Sequence, residues 1–135
     1  MDCVFCNIAT GASPALIIDR VKGAVAFLPA TLEARGHTLV VPTDHYENLL
    51  DVPISALTRV LGLTQTLCHH YAQAIGATGF NLLHASGVSA QQTVSHFHVH
   101  LIPRFDGDGV EAWPLRPEEA LDRNAEYDIL RRIGN

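Results

Sequence analysis

One stretch of this 135-residue chain has helical periodicity long enough to set the architecture. From Asp51 and Pro53 onward, Leu57, Val60, Leu61, Thr64, Leu67, Cys68, Tyr71 and Ile75 recur at three- and four-residue spacing, which predicts one long amphipathic helix. Asp51 is placed to cap it, Pro53 is tolerated in its first turn, and Gly76 and Gly79 supply the stop. The other apolar pieces are strand-length. Residues 15–19 (ALIID) and 24–28 (AVAFL), parted by Lys22 and Gly23, predict a hairpin. Residues 38–41 (TLVV) predict a buried strand stopped by Pro42, and residues 80–83 and 95–102 predict two more, the last ended by Pro103. The segment from Pro117 suits a short terminal helix, and Trp113 packs the tail before it. Strands in a run, interrupted by one helix and closed by a second, predict an α+β fold with an antiparallel sheet of about five strands. A hydrophobic content of 47% is enough for one core, so residues 1–135 are expected to form a single domain.

Charge and leader signals narrow the partners. The formal net charge of -5 leaves no basic excess for a nucleic acid, although a small anion needs only a local site. No charged segment followed by an apolar run opens the chain, and no apolar stretch is long enough to span a bilayer, so a cytoplasmic protein without membrane contact is expected. Three cysteines fit reduced thiols or metal ligands better than a disulfide framework. The Cys3 and Cys6 pair, spaced C-x-x-C, reads as a redox pair, two terminal thiols or half of a zinc site. Cys68 falls on the apolar stripe and reads as core, while His69 and His70 flank it as solvated or packed residues without chemistry.

The histidines carry the chemistry. In a strand over residues 95–102, alternation sets His96, His98 and His100 on one face and Phe97, Val99 and Leu101 on the other. Same-face neighbours lie about 6.6 Å apart, so three imidazoles span a diphosphate with its attacking group. A plain polar strand face or an adventitious metal-binding tract is the competing reading.

The string HFHVHLIPR at residues 96–104 resembles the signature of the histidine-triad family. GHTLVVP at 36–42 followed by His45, FNLL at 80–83 and QTV at 92–94 match its other segments in order, from Cys3 to about Phe105. The resemblance implies a nucleotide hydrolase or transferase that cleaves at the α-phosphate of a nucleoside phosphoramidate, ester or dinucleoside polyphosphate. His98 would attack phosphorus to give a nucleotidyl-histidine, with His100 and His37 completing the catalytic set. Phe27, Ser86, Gln92, Thr93 and His100 would contact the small-molecule nucleotide. Cys3, Cys6, His45 and His96 would hold a structural zinc, with no organic cofactor, and the protein would be a homodimer. The alternative is a weakly catalytic or non-catalytic member of the same fold that binds a phosphate ligand or a protein.

The chain departs from that pattern around the site. Pro29 stands where relatives commonly place an acid that bonds the ribose hydroxyls, leaving Glu33 or the backbone to compensate. Ala85 replaces an asparagine in the loop before the triad, with Ser86 and His84 beside it, and Gln91 replaces a glycine.

Overall fold

A computed structural model describes residues 3–112 and 121–131. In chain order the elements are α1 (Val4–Thr10), β1 (Ile17–Val21), β2 (Ala24–Phe27), β3 (Thr38–Pro42), α2 (Ile54–Ala74), β4 (Gly79–Leu83), β5 (Val99–Arg104) and α3 (Arg123–Leu130). The strands form one antiparallel sheet in the order β1-β2-β3-β5-β4, an α+β architecture. Every residue of β2 and β3 is buried because both faces of these strands are covered. On one face Ala24, Ala26 and Val40 join Val60, Leu63 and Leu67 of α2; on the other Val25, Phe27, Leu39 and Val41 join Phe5 and Ala9 of α1. No helix among the described residues is long and apolar enough to cross a membrane.

The long helix runs where its period predicts, but its ends are built differently. Asp51 does not cap it: the carboxylate accepts from the Glu47 and Asn48 N–H groups of the preceding turn at 3.0 and 2.8 Å. Pro53, extended and without a side-chain cap bond, is the N-cap. At the other end Gly76 takes φ +73° and the Ala77 N–H returns to the Tyr71 carbonyl, the glycine-terminated stop the sequence predicts. Leu61, expected on the buried stripe, is half exposed; Leu63 is buried instead. Cys68 packs against the core, and His69 and His70 are exposed.

Pro42 ends β3 as expected, being its last residue, whereas Pro103 lies one residue inside the end of β5. Pro42 pairs with Ala24 and Pro103 with Phe80. β3 and β5 pair only through Thr38, Leu39 and Val40 against Leu101, His100 and Val99, so each proline has a ladder partner on one side alone. The histidine strand begins late, at Val99 rather than 95, because β4 stops at Leu83 and the Phe97 N–H turns to the Tyr46 carbonyl at 2.6 Å. Alternation of the side chains survives: Phe97, Val99 and Leu101 enter the α2 core, while His96 and His98 meet Phe5 edge-on.

Helix α1 was not expected. Its seven residues carry no readable period, and it is defined by its ends, where the Cys3 thiol accepts from the Cys6 N–H and Gly11 closes it at φ +84°. The hairpin forms with β1 two residues later than expected, and the expected terminal helix starts at Pro117, which with Trp113 lies outside the described residues.

Candidate functional site

Two clusters of imidazoles meet where β5 begins. The first brings together Cys3, Cys6, His45 and His96, whose ligand atoms all lie within 4.8 Å of one another. His96 Nδ1 is 3.3 Å from Cys3 Sγ and 3.4 Å from Cys6 Sγ, and His45 Nδ1 is 3.3 Å from Cys6 Sγ. Sulfur and nitrogen sharing a tetrahedral zinc sit about 3.5 Å apart at ordinary bond lengths, so the set fits such an ion. His96 Nε2 lies 2.9 Å from the Pro42 carbonyl. A carbonyl only accepts, so Nε2 carries the proton and the Nδ1 lone pair faces the thiols, the ligand form secured from behind. Burial, then the hydrogen bond and charge of Cys3, push the Cys6 thiol up to about 11, a cost that a cation between the sulfurs would relieve.

The second cluster is His98, His100 and His37. His98 is buried, and its Nδ1 donates to the His96 carbonyl at 2.7 Å, which leaves the Nε2 lone pair unspent. Its ring sits between Phe5 and His100, with centroid distances of 5.1 Å to each. His37 Nε2 is 2.9 Å from His100 Nδ1, and the two rings stack. Buried His37 Nδ1 has no partner among the described residues. Burial is the first cause lowering all three rings from their usual 6.5, and it takes His100, with repulsion from His98, His37 and His84, down to about 4. The three are therefore neutral at pH 7, the state in which an imidazole nitrogen is a nucleophile.

Phe5 and His100, the two ring neighbours of His98, line separate concavities. Phe5 leads into an apolar cavity of about 580 Å³ bounded also by Val4, Ile8, Phe27, Pro29 and Leu39. His100 leads into a cleft of about 250 Å³ bounded by Glu33, His37, His84 and Gln91. Phe27 thus lies on the apolar wall, its ring 5.4 Å from that of Phe5. Glu33 belongs to the other concavity, away from Pro29, and does not replace an acid there. Gln92 braces the loop: its amide donates to the Glu47 and Val94 carbonyls at 2.6 and 2.9 Å and accepts from the Gly87 N–H at 2.8 Å. Thr93 borders a third cleft with Cys3, His45 and Glu47, on the cysteine side of the triad. Gln91 keeps the left-handed backbone of the glycine it replaces, at φ +70°.

His84 and Ser86 are held together. His84 Nδ1 is 2.8 Å from the His98 carbonyl, its Nε2 contacts Ser86 Oγ, and Ser86 Oγ accepts from the Leu49 N–H at 2.9 Å. In the sequence His84 is readable only as a residue at a strand end that, with Ser86, could stand in for the missing asparagine amide; the structure instead turns its ring to the His98 carbonyl.

The HIT domain family matches residues 10–107. The chain is 37% identical over 108 residues to an uncharacterised HIT-like protein of Methanocaldococcus jannaschii, covering 79% of this chain and 82% of that one. It is 31% identical over 124 residues to an adenosine 5′-monophosphoramidase of Schizosaccharomyces pombe, covering 88% and 90%. Its fold overlays on the crystal structure of a zinc-bound histidine-triad family protein of Mycobacterium smegmatis with a TM-score of 0.79, at 32% identity, covering 97% of this chain and 91% of that one. With the imidazoles arranged as described, the family match places the chain: it belongs to the histidine-triad (HIT) family.

Proposed function

We propose that the protein is a nucleotide hydrolase or transferase acting at the α-phosphate through a nucleotidyl-His98 intermediate. The observation that carries this reading is the tautomer of His98: the His96 carbonyl holds its Nδ1–H, so the Nε2 lone pair is free, on a ring whose neighbours Phe5 and His100 line an apolar cavity and an imidazole-lined cleft. The cavity suits a nucleobase and the cleft suits phosphate. Nε2 attacks the α-phosphorus, a P–N bond forms, and the bond to the leaving group breaks with its electron pair departing to that group, which takes up a proton. Water then attacks phosphorus, the P–N bond breaks toward His98, and the monophosphate leaves. In the neutral His37–His100 pair one ring donates to the other at 2.9 Å, and the accepting ring keeps its own N–H to offset charge developing on the phosphoryl oxygens. A substrate amine, a second nucleotide or another ester group all fit as leaving group, and the name of the yeast relative supports the phosphoramidate.

Cys3, Cys6, His45 and His96 would hold zinc as a closed structural site, pinning α1 to the sheet. The half-exposed Leu61 of α2 and Leu82 of the edge strand β4 support a homodimer, which light scattering measures. A second reading, a binding member with little turnover, is favoured by the apolar walls around Pro29, which offer a ribose no carboxylate.

Incubation with adenosine 5′-monophosphoramidate is expected to release adenosine monophosphate. His98→Ala should lower turnover by about 10³-fold or more with the fold retained. His98→Gly should regain activity with added imidazole. An active His98→Ala protein would overturn the mechanism, and binding without turnover by the wild type would select the second reading.

A further inference from the structure

The β4–β5 ladder runs out at the residue that matters most. Leu83 pairs with His100, and in the same register Ala85 would face His98, but β4 ends at Leu83. The carbonyl of His98 is taken instead by a side chain, His84, whose Nδ1 donates to it at 2.8 Å. With the proton on Nδ1, the His84 Nε2 lone pair meets the Ser86 hydroxyl, and that hydroxyl accepts from the Leu49 N–H at 2.9 Å. Every bond in this strut has a donor facing an acceptor, from Leu49 in the turn before α2 to the main chain of His98. The His84 ring also packs on Phe97, with centroids 4.5 Å apart.

We infer that His84 is a positioning residue for the nucleophile: its imidazole continues the ladder that β4 leaves unfinished and fixes the peptide from which His98 projects. The inference rests on His98 being the attacking group. The bond from His98 Nδ1 to the His96 carbonyl orients the ring relative to its own backbone, at 2.7 Å. It cannot place that backbone. Val99, His100 and Leu101 are held by β3, whereas His98 has the strut alone on the β4 side. A misplacement here changes the line of attack on phosphorus rather than the walls that bind the nucleotide, so it acts on kcat.

Three variants separate the donor atom from general packing. His84→Asn puts an amide N–H where Nδ1–H stands, His84→Gln puts one where Nε2 stands, and His84→Ala removes both. On adenosine 5′-monophosphoramidate, His84→Ala and His84→Gln should lower kcat about tenfold with KM within about twofold, and His84→Asn should recover most of the loss. A second readout needs no substrate. In ¹⁵N-histidine NMR spectra of the full chain, the His98 Nδ1–H signal should be present in wild type and His84→Asn and be lost to solvent exchange in His84→Ala. Wild-type kcat and an unchanged His98 signal in His84→Ala would overturn the inference, as would equal rescue by Gln and Asn. A wild type that releases no monophosphate, while its His98 signal still depends on His84, would overturn the nucleotide reading and uphold the positioning role.

Discussion

His96 and His98 stand two residues apart, both buried, and main-chain carbonyls hold them in opposite tautomers. Pro42 takes the Nε2 proton of His96, turning its Nδ1 lone pair toward two thiols; the His96 carbonyl takes the Nδ1 proton of His98, freeing Nε2. The first ring has a partner on each nitrogen, a carbonyl acceptor at Nε2 and the two thiols at Nδ1, and suits a structural ion. The second keeps one nitrogen unspent and suits attack. Residue type is the same in both, so the neighbouring carbonyl decides which nitrogen has chemistry to do.

If the cysteine cluster is structural and the triad chemical, the two should fail separately. Cys6→Ser should cost about 3 kcal/mol or more of unfolding free energy by weakening the metal set, with loss of bound zinc by elemental analysis. Activity per folded molecule at 25 °C should change far less than stability. Chelation of the wild type should reproduce the effect, and a Cys6→Ser protein as stable as wild type would break the division.

The open cluster should reveal itself in acid. His100 and His37 have depressed pKa values in the folded protein and charge freely in the unfolded chain, so the unfolded state binds more protons below the usual 6.5. Their contribution to stability is whole above pH 6.5 and is lost as pH falls through about 4, the folded value for His100. His100→Asn should flatten this decline, measured as urea midpoints between pH 7 and 4.5. An unchanged slope would place the acid sensitivity elsewhere.

The smallest effect belongs to the lip of the cleft. Gln91→Gly should raise stability by about 0.5 kcal/mol, because glycine takes a left-handed backbone without strain and loses part of that gain to unfolded-state entropy. Calorimetry would test the sign.

What the sequence disclosed follows from how each feature is made. α2 was legible because its period repeats over five turns, and β2 and β3 because their apolar runs lie between turn residues. α1 was not, since its cap is a cysteine and it owes its place to packing of Phe5 and Ala9 on the sheet. The start of β5 was misplaced because a strand's end depends on where its partner stops, and β4 stops at Leu83. The histidine positions were readable as a pattern, and the four metal-ligand candidates converge as the resemblance implied. His84 was not, because a bond from a side chain to a distant carbonyl leaves no periodic trace.

Phe5 lies in sequence between the two cysteines, and its ring is at once a wall of the apolar cavity and a neighbour of both His96 and His98. Whatever tightens the thiols therefore also stiffens one side of the chamber beside the nucleophile. By thermodynamic reciprocity, an occupant of that chamber that favours the ordered helix would tighten the binding of an ion at the thiols by the same coupling free energy. The N-terminal turn would thereby link metal affinity and ligand affinity.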